Sequence, residues 1–152
     1  MSGHVQRTAS ISETGNGLYQ NDIQIGEHHL TAGEPTALGG DDSGPTPMEL
    51  AAAALGACTT ITLRMYANRK EWPLERISAT VTHKKGPREI CAAEDDDTEH
   101  KPGLVDIFTR TLTLTGPLSD EQRERLLQIA DKCPVHKALS GNSCVRTLTA
   151  DA

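Results

Sequence analysis

The segment from Thr46 to about Lys70 constrains the fold most, because its residue pattern predicts one long helix that carries mostly small side chains in its first half. Thr46 can cap this helix, Pro47 suits its first position, and Glu49 stands where it completes a capping box with Thr46. Residues 51–57 are almost all alanine and glycine, so another element can approach this helix closely. The pattern therefore predicts a central, buried helix rather than a surface one.

Apolar and polar residues alternate on both sides of this helix, which is typical of strands. In chain order we predict strands at 5–12, 18–25 and 28–31, the helix at 46–70, strands at 74–84 and 104–115, a helix at 119–132 with one further turn at 135–139, and a last strand at 143–149. Residues 86–103, with an acidic run at 94–99, are expected to form an exposed hairpin tip. The order βββ-α-ββ-α-β predicts an α+β fold, with antiparallel sheet against two principal helices in one domain spanning 1–152.

Charge and composition narrow the classes of partner. The formal net charge is -6 with no basic stripe, which argues against nucleic-acid binding. The first residues show no apolar signal region, and we expect no apolar run long enough to span a bilayer, so a cytoplasmic protein is predicted. Aromatic residues make up only 3% of the chain, and such a small supply of large side chains favours a dimer that shares its core.

In the cytoplasm, the four cysteines are expected to be free, catalytic or metal-bound rather than paired in structural disulfides. Cys58 lies inside the alanine-rich helix, and Cys133 lies where the second helix breaks before a proline. If the fold brings these two together, they become an attacking and a resolving thiol. The alternative for Cys58 is a small buried hydrophobe. We interpret Cys91 as an exposed thiol and Cys144 as a core residue.

A zinc site is a third possibility for the cysteines. Cys133 and His136 have ligand-like spacing, and Cys144 or Cys91 could complete a set. However, no second Cys-x-x-Cys or Cys-x-x-His pair is present, which makes this hypothesis weak. The sequence also contains no phosphate loop, dinucleotide fingerprint or nucleophile elbow.

Two segments resemble a known family. The run Gly-Pro-Thr-Pro-Met-Glu-Leu-Ala-Ala-Ala-Ala-Leu-Gly-Ala-Cys at 44–58 is followed, seventy-five residues after its cysteine, by the Cys-Pro-Val-His-Lys-Ala-Leu run at 133–139. This arrangement resembles the OsmC/Ohr family of thiol-dependent hydroperoxide-handling proteins, and in particular its OsmC-like redox protein branch. The resemblance extends over nearly the whole chain.

That resemblance implies an OsmC-like fold: an intertwined homodimer with antiparallel sheets wrapped around two central helices. It implies that Cys58 attacks an organic hydroperoxide, becomes a sulfenic acid and condenses with Cys133. It also implies an external dithiol reductant, such as dihydrolipoamide, and neither a bound cofactor nor a metal.

The chain departs from the family at the groups that activate the first cysteine. Peroxidase members carry a carboxylate ten residues before that cysteine, where this chain has Met48. Glu49 is nine residues before Cys58 and points to roughly the opposite side of the helix. The family's arginine comes from the N-terminal strand–turn region, but Arg7 is too early and Arg64 is not on the face of Cys58.

Two functions follow. The first is a peroxidase that reduces organic hydroperoxides through a Cys58–Cys133 disulfide cycle in oxidative-stress defence. The second is a non-peroxidase on the same scaffold, either a thiol-redox protein or a binder of small apolar ligands. The cysteine pair favours the first, and the unmatched activating carboxylate and arginine favour the second.

Overall fold

Three short strands near the start of the chain form an antiparallel sheet in the order β1–β2–β3. They are β1 (Ala9–Glu13), β2 (Asn21–Ile25) and β3 (His28–Ala32). Gly26 allows the tight turn between β2 and β3, because its φ of 61° is disfavoured for residues with a side chain. The computed structural model describes residues 6–91 and 103–150, and within them the predicted meander is confirmed.

The long predicted helix is present as α1 (Pro47–Arg69). The Thr46 hydroxyl accepts a hydrogen bond from the Glu49 backbone N–H at 3.2 Å, and the Glu49 carboxylate accepts one from the Thr46 N–H at 2.8 Å. The capping box is thus confirmed, and it explains the position of Glu49 without any role at Cys58. In the second half of α1, Leu63 and Ala67 are completely buried.

The expectation that no apolar run is long enough to span a bilayer was wrong for α1. An 18-residue window of this 23-residue helix has a mean hydropathy of 1.3, so by length and composition alone it could cross a membrane. The core helix of a globular domain meets the same criterion. The complete burial of Leu63 and Ala67 in a cluster with other elements favours that role here.

A long hairpin follows α1. Strands β4 (Arg76–Pro87) and β5 (Leu104–Thr115) pair antiparallel along their whole length, from Arg76 opposite Thr115 to Pro87 opposite Leu104. β5 has the predicted bounds, whereas β4 runs three residues further than predicted into the expected hairpin tip. The acidic run at 94–99 lies outside the described residues.

Two further helices complete the described chain, α2 (Asp120–Ala130) and α3 (Pro134–Leu139). The apolar stripe of α2 packs on α1 and on the chain around the ends of β4 and β5. The buried members of this core are Leu63, Ala67, Leu74, Leu118, Leu126, Ile129 and Ala130. The observed α+β architecture with antiparallel sheets agrees with the prediction.

The predicted last strand was wrong. Residues 142–150 have no regular secondary structure, and Val145 and Leu148 are 92% and 80% exposed. Their β-branched and alternating pattern gives a preference for extended backbone, but a strand also needs a hydrogen-bonded neighbour. Cys144 belongs to this exposed segment, so its assignment to the core was also wrong.

By contacts the chain divides into two compact units, Met1–Ala51 and Ala52–Ala152. The sheet of β1–β3 belongs to the first unit. The core around Leu63 and Leu126 and all four cysteines belong to the second.

The start of α2 gives a stability prediction. The Ser119 hydroxyl accepts a hydrogen bond from the Gln122 N–H at 3.1 Å, and the Gln122 side chain accepts one from the Ser119 N–H at 3.0 Å. We expect Ser119→Ala to lower the free energy of unfolding by about 1 kcal/mol, since one helix N–H then loses its partner. Urea denaturation measures this change, and an unchanged midpoint would show that the capping box contributes nothing.

Candidate thiol site

Two elements bring the predicted cysteines together. Cys58 lies in α1 and is half-buried, whereas Cys133 is the N-cap residue of α3 and is completely buried. The Cys133 side chain lies close enough to the Cys58 thiol to raise its pKa. Residues 75 positions apart in sequence thus form one thiol pair.

The thiol of Cys58 is held in its neutral form. Burial raises the pKa of this thiol above its ordinary value, and the neighbouring Cys133 raises it further, although the Val135 backbone and Thr62 hydroxyl oppose the shift. The half-exposed setting limits how far burial alone can act. Since the thiolate is the reactive form, this shift lowers the fraction of Cys58 that can react at a given pH.

This shift predicts a pH dependence for the reactivity of Cys58. Below a raised pKa the thiolate fraction increases about tenfold per pH unit, so the rate should climb steadily from pH 6 to pH 9. Stopped-flow alkylation of Cys58 in a protein in which Cys91 and Cys144 are serine measures this rate, and Cys133 is kept because it contributes to the shift. A rate that levels off below about pH 8.5, where an ordinary thiol titrates, would contradict the raised pKa.

Cys133 is surrounded by hydrogen-bonding groups. The backbone N–H of His136 donates to the Cys133 sulfur at 3.2 Å. The hydroxyl of Thr59, the residue next to Cys58 in α1, lies 3.8 Å from the same sulfur. Thr59 is itself completely buried, and its hydroxyl also donates to the Leu55 carbonyl at 2.7 Å.

An arginine that our sequence reasoning missed reaches this network. Arg110 in β5 donates to the Thr59 hydroxyl at 2.9 Å and to the Ala130 carbonyl at 3.2 Å. Its second terminal nitrogen pairs with the Asp131 carboxylate at 3.0 Å. Its side chain is only 12% exposed, so the guanidinium is fixed rather than solvated.

The sequence did contain a signal for Arg110. Residues 108, 110, 112 and 114 share one face of β5, and they are phenylalanine, arginine, leucine and leucine. An arginine on an otherwise apolar strand face needs partners inside the protein, because an unpaired buried charge is costly. That pattern identifies Arg110 as a candidate site residue.

The arginine considered from the sequence lies elsewhere. The guanidinium of Arg64 donates to the Leu74 and Glu75 carbonyls, and so it supports the chain between α1 and β4. Arg64 therefore does not serve the thiols, in agreement with its predicted position off the face of Cys58.

A cavity of about 590 Å³ is lined by residues of α1, β5 and α3, although Cys58 and Cys133 are not among its lining residues. Leu55, Phe108 and Leu139 supply its apolar wall, and His136 connects it to the surroundings of Cys133. Its polar lining includes Arg88, Cys91, Asp106 and Ser140. The cavity has the size and mixed lining of a small-molecule site.

The zinc hypothesis gains no support in residues 6–91 and 103–150, where no group of three or more His, Cys, Asp or Glu side chains could hold a metal. Cys91 is exposed, as predicted, and Cys144 is exposed in the C-terminal segment. Neither cysteine is among the groups that interact with Cys58.

Comparison with known proteins gives one family and one fold. The profile of a family described as OsmC-like protein matches residues 40–148. No curated protein sequence matches the chain significantly. Among solved structures, an organic hydroperoxide resistance protein OsmC from Legionella pneumophila, also described as a predicted redox protein, is 24% identical, with 93% of each chain covered and a TM-score of 0.67.

Two more solved structures share this fold. A putative organic hydroperoxide resistance protein from Vibrio cholerae, with captopril bound in one of its active sites, is 24% identical, covers 93% of this chain and 89% of its own, and has a TM-score of 0.63. The organic hydroperoxide resistance protein OhrB of Bacillus subtilis is 20% identical, with 92% and 94% coverage and a TM-score of 0.60.

Proposed function

Because the chain belongs to the OsmC-like family, we propose that it is a thiol-dependent peroxidase that reduces organic hydroperoxides in oxidative-stress defence. The observation that carries this proposal is the proximity of Cys58 in α1 to Cys133 at the start of α3. Relatives of the same fold are described as organic hydroperoxide resistance proteins, which supports the substrate class.

The proposed cycle uses the two thiols in turn. The Cys58 thiolate attacks the outer oxygen of the hydroperoxide, the O–O bond breaks, and the alcohol leaves after taking a proton. Cys58 is then a sulfenic acid, and attack by Cys133 on its sulfur expels water and forms the disulfide. An external dithiol reduces that disulfide and returns both thiols, so the proposed cycle needs no bound cofactor.

The burial and exposure of the two sulfurs support these roles. Cys58 is half-buried and so remains within reach of a substrate, whereas Cys133 is completely buried and suits the second, internal step. The apolar residues Leu55, Phe108 and Leu139 beside the site favour an organic hydroperoxide over hydrogen peroxide.

A stoichiometric experiment tests the cycle. The reduced protein is mixed with one equivalent of cumene hydroperoxide, and the loss of peroxide and the protein mass are followed together. We expect rapid consumption, a loss of two hydrogens, and a peptide map that links Cys58 to Cys133. Intact thiols and unconsumed peroxide after several minutes would refute the proposal.

The alternative function is a non-peroxidase thiol-redox protein or a binder of small apolar ligands on the same scaffold. The raised pKa of Cys58 and the presence of Met48 in place of a carboxylate favour it. In the same experiment this alternative gives unreacted peroxide, while diamide still forms the Cys58–Cys133 disulfide.

We also propose that the protein is a homodimer. Ile61 and Met65 are one helical turn apart on α1 and are 55% and 68% exposed. Val145 and Leu148 are still more exposed, in a segment with the residue pattern of a strand but no strand partner among the described residues. A second copy of this chain would cover these side chains and supply the missing partner.

Light scattering after size-exclusion chromatography tests the dimer. We expect a mass of twice 16.3 kDa for the wild type and a shift toward 16.3 kDa for the double variant Val145→Asp, Leu148→Asp. Asn142→Asp adds a charge at the start of the same segment and should leave the dimer intact. A wild type that elutes as a monomer at micromolar concentration would contradict the proposal.

A further inference from the structure

The contacts of Arg110 are directed toward one cysteine of the pair. Its guanidinium donates to the Thr59 hydroxyl, and that hydroxyl contacts the sulfur of Cys133. In the described chain the hydrogen bonds of Arg110 go to Thr59, Ala130 and Asp131, and none goes to Cys58. Within the described chain, the positively charged guanidinium of Arg110 is therefore linked to Cys133 through the Thr59 hydroxyl.

Asp131 fixes this charge in place. Its carboxylate pairs with Arg110 at 3.0 Å while the Ala130 carbonyl accepts from the same guanidinium, so the head group is held at two points at the end of α2. A planar guanidinium held in this way keeps its remaining N–H directed at the Thr59 oxygen. A lysine at position 110 could supply a positive charge, but it has no planar group to make the same hydrogen bonds to Thr59, Ala130 and Asp131.

The Thr59 hydroxyl can respond to the state of Cys133. With Cys133 as a thiol, the hydroxyl donates its proton to the Leu55 carbonyl and accepts from Arg110. With Cys133 as a thiolate, the hydroxyl can turn its proton to the sulfur, since either atom of the 3.8 Å contact can be the donor. Arg110 continues to donate to the oxygen in both states, which makes the hydroxyl a better donor to the anion.

We propose that Arg110 is a positioning residue which, anchored by Asp131 and acting through Thr59, stabilises the negative charge that Cys133 takes when the Cys58–Cys133 disulfide is opened. The family resemblance assigns an arginine to the first cysteine, whereas in this chain the arginine serves the second one.

This charge placement determines how the disulfide is opened. A thiolate of the incoming dithiol attacks the sulfur of Cys58, the S–S bond breaks, and Cys133 leaves with the electron pair as the stabilised thiolate. The second thiol of the reductant then attacks its own mixed disulfide, which releases Cys58 and leaves the reductant oxidised by two electrons. The half-buried position of Cys58 and complete burial of Cys133 favour attack at the same sulfur.

The titratable and charged groups that face Cys133 come from four elements. They are Cys58 from α1, Arg110 from β5, Asp131 at the end of α2, and His136 from α3, whose ring lies 3.7 Å from the Asp131 carboxylate. Arg110 is the member of this group whose positive charge does not depend on the pH of the measurement.

The inference is tested on single-cysteine proteins by thiolate absorbance at 240 nm, which needs no reagent to reach the buried sulfur. One protein retains Cys133 and the other retains Cys58, with the remaining three cysteines replaced by serine. In the Cys133 protein, Arg110→Gln should reduce the thiolate fraction at pH 8 by about three- to tenfold. In the Cys58 protein the same substitution should change it much less.

Three further variants separate charge placement from a structural effect. Arg110→Lys should restore part of the Cys133 thiolate, and Thr59→Val, with nearly the same shape, should reduce it with the Arg110–Asp131 pair intact. Arg123→Gln is the matched control, because the Arg123 guanidinium is also held inside the protein by hydrogen bonds, in its case to the backbone carbonyls of Leu114 and Gly116. It should leave the Cys133 thiolate unchanged.

A second readout concerns the direction of disulfide opening. The disulfide is formed with diamide and then treated with glutathione, and the mixed disulfide is located by mass spectrometry. We expect glutathione on Cys58 in the wild type and a loss of this preference in Arg110→Gln.

An unchanged Cys133 thiolate in Arg110→Gln, or an equal loss at Cys58, would overturn the inference. The proposed role of Arg110 in disulfide opening rests on the proposed peroxidase cycle only where it concerns peroxide turnover. Neither the absorbance experiment nor the diamide experiment uses a peroxide. A protein that fails with cumene hydroperoxide but passes these tests would refute the proposed function alone.

Discussion

Cys58→Ser is expected to lower the turnover of cumene hydroperoxide by at least about a thousandfold, because a serine hydroxyl does not ionise near neutral pH and cannot replace the attacking thiolate. The half-buried Cys58 is the thiol of the pair that a substrate can reach, since Cys133 is completely buried. Coupled consumption of a dithiol and peroxide at saturating reductant measures the effect.

Cys133→Ser and Cys144→Ser complete this experiment. Cys133→Ser should consume one equivalent of peroxide, leave a sulfenic acid on Cys58 that dimedone traps, and then stop. Cys144→Ser removes an exposed thiol that is not among the residues lining the cavity, and it should retain turnover. Undiminished turnover by Cys58→Ser would mean that the nucleophile has been assigned to the wrong residue.

Leu126→Ala is expected to reduce the free energy of unfolding by about 2–5 kcal/mol. Leu126 is completely buried in the cluster that joins α1 to α2, so the substitution removes apolar contacts and leaves a cavity. Urea denaturation followed by circular dichroism measures the loss. Destabilisation of this size is a large part of the total for a chain of this length.

The adjacent residue provides the control. Leu127 is 54% exposed on the same helix, so Leu127→Ala makes the same chemical change without a buried cavity and should stay within about 0.5 kcal/mol. Equal losses in the two variants would show that the assigned orientation of α2 is incorrect. If Leu127 lies in the proposed dimer interface, its loss would grow with protein concentration, which distinguishes that effect from core packing.

Local patterns predicted the regular elements well. The capping box of Thr46 and Glu49 identified the start of α1, because its hydrogen bonds join residues three positions apart. The alternation in β5 predicted its bounds at Leu104 and Thr115 for a similar reason, since side chains of a strand alternate between two faces.

Errors occurred where the outcome depended on distant parts of the chain. Residues 143–149 have a strand pattern, yet whether they form a strand depends on a neighbour that the pattern does not specify. The same applies to Cys144, whose burial was inferred from that strand. The apolar run of α1 was underestimated because its many alanines have modest hydropathy individually but suffice over 18 residues.

By itself the sequence determined the order of the elements, the helical setting of Cys58, the break at Cys133 and the family resemblance, all of which depend on local residue patterns. The tertiary structure decided that the two thiols meet, that burial raises the pKa of Cys58, and that Arg110 reaches Thr59 from a strand 51 residues away. These relations depend on burial and on contacts between distant segments. A charged residue on the apolar face of β5 was the one local sign of them, because such a charge requires partners that only the folded chain supplies.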